Sequence, residues 1–302
     1  MSRIHEALQK AAQEKTAQQA AGRQPDLEVV TENIPKSVLP TIHGSAPTVR
    51  GTRGFEGSPS LRFEDLTKWC AHPEWKHDSR FSIFCRGSDD TRIGAERFRT
   101  LRSRLYQIAA VRPLRRVLVT SSLPEEGKTF IAANLALSIV RQSDKRALLI
   151  DADLRSPRAH ETFGAPTNPG LTNYLCGEAD EYDVIQQGAE PNFCFIPCGR
   201  SVSNPSELLS SERMKMLLDL VTPIFDWVIL DSPPALPVHD ASILADSCDG
   251  VLFVVGAGKT NHEIAERGVS EFRNKNLLGV VLNRVDKTEG YGSYYGYPSK
   301  EK

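Results

Sequence analysis

The sequence predicts an α/β fold: a doubly wound, mostly parallel sheet with helices on both faces, behind a partly disordered N-terminal extension. Two observations carry this prediction. From about Thr91 onward, short β-rich runs alternate with helical stretches, the pattern of a parallel sheet with crossover helices. Each run is nearly continuously apolar, as strands buried on both faces must be. In such sheets ligands bind at the carboxyl ends of the strands.

Taken in order, residues 2–21 read as a helix. Ser2 is the N-cap, Ile4, Ala7, Leu8, Ala11 and Ala12 repeat at helical spacing, and Gly22 is a stop. The apolar stripe is narrow, so this helix needs a partner. Residues 22–60 are rich in Pro, Gly, Ser and Thr without periodicity and read as a disordered linker. Residues 61–90 regain aromatics, including Phe63, Trp69, Trp75, Phe81 and Phe84, and read as a short packed segment. The main domain follows over 91–288. Its expected strands are 116–121, 146–151, 193–197, 226–231, 250–255 and 278–283, with helices at 128–141, 206–221 and 261–274. Residues 289–302 form a polar, flexible tail.

Composition narrows the class. The 302 residues are 40% apolar and 25% charged, with a net charge of −1, the balance of a soluble globular protein. That charge argues against a nucleic-acid partner recruited by bulk electrostatics. No apolar stretch reaches the roughly 18–20 residues of a membrane span, and charges fall where a signal peptide would be apolar. A cytoplasmic protein is expected, with any membrane role supplied by a partner. The six cysteines form no disulfide-like framework. Cys70, His72, His77 and Cys85 do not have zinc-finger spacing and read as part of a loosely packed segment.

The chemistry concentrates in three runs. After the 116–121 strand comes Ser-Ser-Leu-Pro-Glu-Glu-Gly-Lys-Thr, ending at Thr129 and followed by an Ala- and Leu-rich helix. Gly-Lys-Thr between strand and helix is the core of a phosphate-binding P-loop. Backbone amides of Glu126, Gly127, Lys128, Thr129 and Phe130 at the helix start would cradle phosphates, Lys128 would reach the β and γ oxygens, and the Thr129 hydroxyl would ligate Mg²⁺. Ser122 stands where the usual pattern begins with glycine. The second run, 148–153, ends a strand with Asp151 and Asp153, and the third, 228–234, ends another with Asp231. Strand-end carboxylates beside a P-loop are what Mg²⁺ requires, which makes a nucleoside triphosphate with Mg²⁺ the ligand. Tyr291, Tyr294, Tyr295 and Tyr297 place four of the chain's seven tyrosines in one polar stretch. They read as phosphoryl acceptors delivered at high effective concentration, most readily to a neighbouring subunit.

These residues resemble the bacterial tyrosine kinases of polysaccharide synthesis, which are P-loop ATPases. Pro124 to Thr129 resembles the family's Pro-Gly-Glu-Gly-Lys-[Ser/Thr] loop, Asp151, Asp153 and Arg155 its D-x-D-x-R motif, and Asp231 its third motif. Asn204 to Leu209 resembles a further signature, and the first eight residues resemble exosortase-associated stand-alone members. The resemblance covers about residues 91–297 and implies an ATP-dependent tyrosine autokinase with Mg²⁺. It also implies that Asn283 holds adenine and that Glu96, Arg99 and Arg102, as E-x-x-R-x-x-R, mediate ring assembly. The implied partners are further copies of the chain and a membrane protein controlling polysaccharide chain length, which recruits the kinase to the inner face of the membrane. Asp153 and Asp231 fall to the metal; Asp151 falls to the tyrosine proton, with Asp153 as the alternative. Glu125 departs from the family glycine and is expected to take an ordinary backbone conformation with its carboxylate away from the phosphates. Two other readings stay open: a localisation ATPase of the same fold, which would carry an early signature lysine where Leu123 stands, and an ATP-binding regulator without kinase activity.

Overall fold

A computed structural model describes residues 62–76, 89–188 and 190–285. The N-terminal helix and linker, His77 and Cys85, and the tyrosine tail lie outside the described residues. Helices α1 (Phe63–Trp69) and α2 (Asp89–Ala109) lead into β1 (Arg116–Ser121), α3 (Lys128–Val140) and β2 (Ala147–Asp151). Short helices α4 (Ala159–Phe163), α5 (Leu171–Leu175) and α6 (Glu181–Val184) precede β3 (Gln186–Gln187) and β4 (Phe193–Ile196). Then come α7 (Pro205–Leu209), α8 (Glu212–Val221), β5 (Trp227–Asp231), α9 (Asp240–Ala245), β6 (Gly250–Gly256), α10 (His262–Ser270) and β7 (Leu277–Asn283).

The seven strands lie in the order β3-β4-β2-β5-β1-β6-β7. All neighbours are parallel except the two-residue β3, which runs antiparallel to β4. Alternate side chains fill two cores, one on each face. Leu118, Leu148, Ile150, Val228 and Leu230 enter one. Val117, Val119, Leu149, Phe195 and Ile229 enter the other, against α3. Burial of β1, β2, β4, β5 and β6 on both faces explains their nearly unbroken apolar sequences.

Two expectations are corrected. The 278–283 run was expected to be buried on both faces, but β7 is an edge strand, and Val280 and Leu282 are more than half exposed. Its composition reads as internal because apolar content does not encode position in the sheet. The single helix expected over 206–221 is two. The chain breaks after Leu209, and the Ser211 side chain caps α8 by accepting a hydrogen bond from the Met214 amide. The β3 strand was also not anticipated, since Gln-Gln has no strand pattern.

On the face carrying α10, one glycine makes room for the phosphate loop. A Cβ on Gly268 would lie 2.5 Å from Ser122 Oγ and 2.9 Å from Phe253 Cζ. Ser122, in place of the usual glycine, is thus accommodated by a glycine on the facing helix. Gly268→Ala is expected to destabilise the fold by about 1–3 kcal/mol through overpacking, measured by thermal unfolding. Ser122→Gly in the same background should restore the part of the loss due to Ser122, leaving the part due to Phe253; an unchanged melting temperature for Gly268→Ala alone would show that the contact yields freely.

Candidate active site

The P-loop joins β1 to α3. Gly127 occupies the N-cap with φ +93°, and a Cβ there would meet Asn283 Nδ2 at 2.1 Å. Both facts require glycine. Asn283, at the end of β7, donates from Nδ2 to the Glu126 carbonyl at 2.9 Å, so its amide supports the loop from beneath. Glu126 is buried and turns inward: its carboxylate accepts from Leu123 N at 2.6 Å, from Gly256 N at 3.2 Å and from the Thr260 hydroxyl. Of Glu126, therefore, only the backbone can serve a phosphate. Phe130, in the first turn of α3, packs edge-on to Phe98 at 6.0 Å between ring centroids.

Glu125 corrects an expectation. It does not adopt an ordinary conformation but sits at φ +64°, in the left-handed region that the family glycine takes without strain. The tight loop dictates the backbone whatever residue occupies it. Its carboxylate does turn outward, to Lys259 Nζ at 2.8 Å, and that contact, with Arg158 and Arg284 nearby, holds its pKa below the usual glutamate range. Glu125 and Glu126 together fasten the P-loop to the loop after β6.

The parallel register sets Asp151 directly beside Asp231 at adjacent strand ends. Two residues further, Asp153 reaches Lys128, Nζ to Oδ2 at 2.8 Å, the carboxylate buried and the lysine mostly so. Burial opposes the charge on Lys128, but Asp231, Asp153 and Asp151 overcome that and hold its pKa above the ordinary lysine value. The three acids differ. Asp151 is tied down by amides, accepting from Asp153 N at 3.3 Å and Ala159 N at 3.1 Å; burial, then Asp231 and Asp153, push its pKa well up. The other oxygen of Asp153, Oδ1, accepts from Arg155 N at 3.3 Å and Ser156 N at 3.0 Å. Asp231 is fully buried, and neither oxygen makes a hydrogen bond. Burial raises its pKa to about 6, against the pull of Lys128 and the nearby Thr129 hydroxyl.

Two orphaned oxygens on a buried carboxylate call for a partner of opposite charge. Oxygen donors from Thr129, Asp153 and Asp231 at the foot of a phosphate loop fit a Mg²⁺ ion, which takes one or two carboxylates together with substrate phosphates. The loop after Asp231 is held in place: Ser232 Oγ donates to the Val119 carbonyl at 3.0 Å and Ala235 N to the Ser121 carbonyl at 2.8 Å.

The structure separates the three residues of the E-x-x-R-x-x-R helix. Glu96 and Arg99 are exposed and ion-paired with each other. Arg102 turns inward and donates to the Ser138 carbonyl on α3. Asp240 reads in the sequence as no more than a helix start, yet it is fully buried and paired with Arg155. Its signal lay in the D-x-D-x-R motif, where an arginine needs an acid that only the fold identifies.

The sheet order, the P-loop at its centre and the flanking strand-end acids define a P-loop ATPase of the doubly wound class. Residues 126–277 match the AAA domain family. The tyrosine-protein kinase YwqD of Bacillus subtilis (strain 168) is 37% identical over 208 residues, 68% of this chain and 87% of that protein. The kinase domain of the Escherichia coli tyrosine kinase ETK is 34% identical, with a TM-score of 0.61, over 68% of this chain and 80% of that one. The chimerical protein CapA2B2 has a TM-score of 0.63 at 27% identity, over 74% of this chain and 99% of that one. The chain belongs to the bacterial tyrosine-kinase family, whose members are ATP-dependent phosphotransferases acting on tyrosine.

The pKa of Asp231 makes a prediction for the nucleotide-free protein. A carboxyl raised from 3.8 to about 6 on folding binds more protons folded than unfolded across that interval. Its contribution is therefore favourable at low pH and is lost as pH rises through about 6. Asp231→Asn is expected to stabilise the nucleotide-free protein at pH 7.5 by on the order of 1–3 kcal/mol, and to flatten the stability change between pH 4 and 7, measured by denaturant unfolding across that range.

Proposed function

We propose that this kinase transfers the γ-phosphoryl group of ATP to Tyr291, Tyr294, Tyr295 and Tyr297 of a neighbouring copy and thereby regulates exopolysaccharide synthesis or export. The observation that carries the reading is the buried cluster of Asp151, Asp153 and Asp231 around Lys128 at the N-terminus of α3. In this reading Lys128 and the amides of Glu126 to Phe130 hold the phosphates. Thr129, Asp153 and Asp231 hold Mg²⁺, which neutralises phosphate charge when bound. Asn283 stands at the adenine side while supporting the loop. The tyrosine oxygen bonds to the γ-phosphorus as the bond to the β–γ bridging oxygen breaks, ADP departs, and the phenolic proton passes to a carboxylate. The raised pKa of Asp151 supports it as that acceptor, with Asp153 as the alternative.

The tail is delivered between copies, and the exposed Glu96–Arg99 pair supports a contact between subunits of a ring. Arg102 would act there indirectly, through its hold on α3. No helix among the described residues is long and apolar enough to cross a membrane. Recruitment from the cytoplasm to the inner face of the membrane is therefore assigned to a partner, a membrane protein that controls polysaccharide chain length.

Purified protein incubated with Mg²⁺ and ATP is expected to carry phosphate on the four tail tyrosines by mass spectrometry. Lys128→Ala should lose at least about 100-fold in rate, the scale of removing one preorganised charge from a transition state. Asp151→Asn should lose most activity while keeping ATP binding; full retention would transfer the proton to Asp153. ATP binding without any phosphotyrosine, even with the membrane partner's cytoplasmic segment added, would return the regulator reading.

A further inference from the structure

Three stretches far apart in sequence meet at one buried carboxylate. Asp240, the first residue of α9, is inaccessible to solvent. Arg155 Nε donates to its Oδ2 at 2.7 Å and Arg155 Nη2 to its Oδ1 at 3.2 Å. Ser206, at the start of α7, donates its hydroxyl to the same Oδ1 at 2.6 Å and receives Arg155 Nη2 at 3.0 Å. The result is a closed triangle of four hydrogen bonds around a two-pronged ion pair.

Its position gives the triangle a role. Arg155 is two residues past Asp153, and the amides of Arg155 and Ser156 are the ones that grip Asp153 Oδ1. Asp240 ends the loop that begins at Asp231, and the start of that loop is tied to β1 through Ser232 and Ala235. The two loops that present Asp153 and Asp231 are thus joined at their far ends by Asp240. A buried acid so fully satisfied by donors from two other loops resists displacement, since moving either loop strands a charge away from water.

We propose that Asp240 is a positioning residue for the divalent cation: through Arg155 and Ser206 it fixes the spacing of the Asp153 and Asp231 loops. This rests on the reading of Asp153 and Asp231 as the residues that hold the cation. Outer partners that orient the ligands of a metal typically change its affinity by about 10–100-fold when removed. A pair that only stabilised the fold would leave cation affinity untouched.

The test uses the full-length chain and a fluorescent ADP, titrated with Mg²⁺ and measured separately in EDTA. Asp240→Asn is expected to raise the half-saturating Mg²⁺ concentration about tenfold, with unchanged affinity for the nucleotide in EDTA and a retained cooperative unfolding transition. Ser206→Ala, which removes one corner and leaves the ion pair, should shift Mg²⁺ in the same direction by a smaller factor and decides the matter if Asp240→Asn fails to fold. Unchanged Mg²⁺ half-saturation, or equal weakening with and without Mg²⁺, overturns the proposal. Asp153→Asn separates the two levels. If it leaves the Mg²⁺ titration unmoved, the assignment of the cation ligands fails; if it shifts the titration while Asp240→Asn does not, only the positioning role of Asp240 fails.

Discussion

Three buried carboxylates share one lysine, and that imbalance governs the site. Asp151, Asp153 and Asp231 cluster around Lys128 where burial penalises every unpaired charge. Lys128 can answer only one of them at hydrogen-bonding distance, and it pairs with Asp153. Asp151 takes two backbone amides, and Asp231 is left with neither oxygen bonded. Burial and neighbouring charge raise the pKa of Asp151 and Asp231, so their charged forms oppose folding at neutral pH. In the proposed reading, a divalent cation held by Asp153 and Asp231 would offset this excess of negative charge, and Lys128 would be shared with the phosphates.

The surrounding fold holds that arrangement against its own repulsion. The register of β2 on β5 fixes Asp151 against Asp231, so the carboxylates cannot move apart without breaking the central sheet. Glu126 ties the phosphate loop to Gly256 and Thr260, and Asn283 holds it from the end of β7. Glu125 adds an exposed contact to Lys259 that contributes little energy in water. Its cost lies in the left-handed backbone it must adopt. The loop therefore depends on buried contacts made by its neighbours, and the substitution of glycine by glutamate at 125 is accommodated at its surface.

What was legible in the sequence was what is local. Gly127, Lys128 and Thr129 follow a strand and open a helix within one stretch, and strand-end aspartates announce themselves by the apolar residues before them. Five internal strands could be placed because burial on both faces leaves little freedom in composition. The rest depended on contacts across the chain. Glu126 reads as a phosphate-loop residue until Gly256, 130 positions later, is seen to bind its side chain. Asp240 reads as a helix start until Arg155, 85 positions earlier, reaches it. The exposure of Val280 and Leu282 follows from β7 having, among the described residues, a neighbour on one side only, which no local pattern records. The left-handed conformation of Glu125 is imposed by the turn rather than by its own preference, so propensity pointed the other way.

The central proposal is that the carboxylate cluster binds a nucleotide more tightly with a divalent cation than without one. Isothermal titration of ADP into the unmodified protein, with Mg²⁺ and then with EDTA at pH 8, tests it directly. The account predicts that removing Mg²⁺ weakens ADP by at least about tenfold, ~1.4 kcal/mol or more, because the phosphates then face Asp153 and Asp231 with only Lys128 between them. Equal affinity in the two conditions would contradict it, and would mean that the three acids are neutralised within the protein itself.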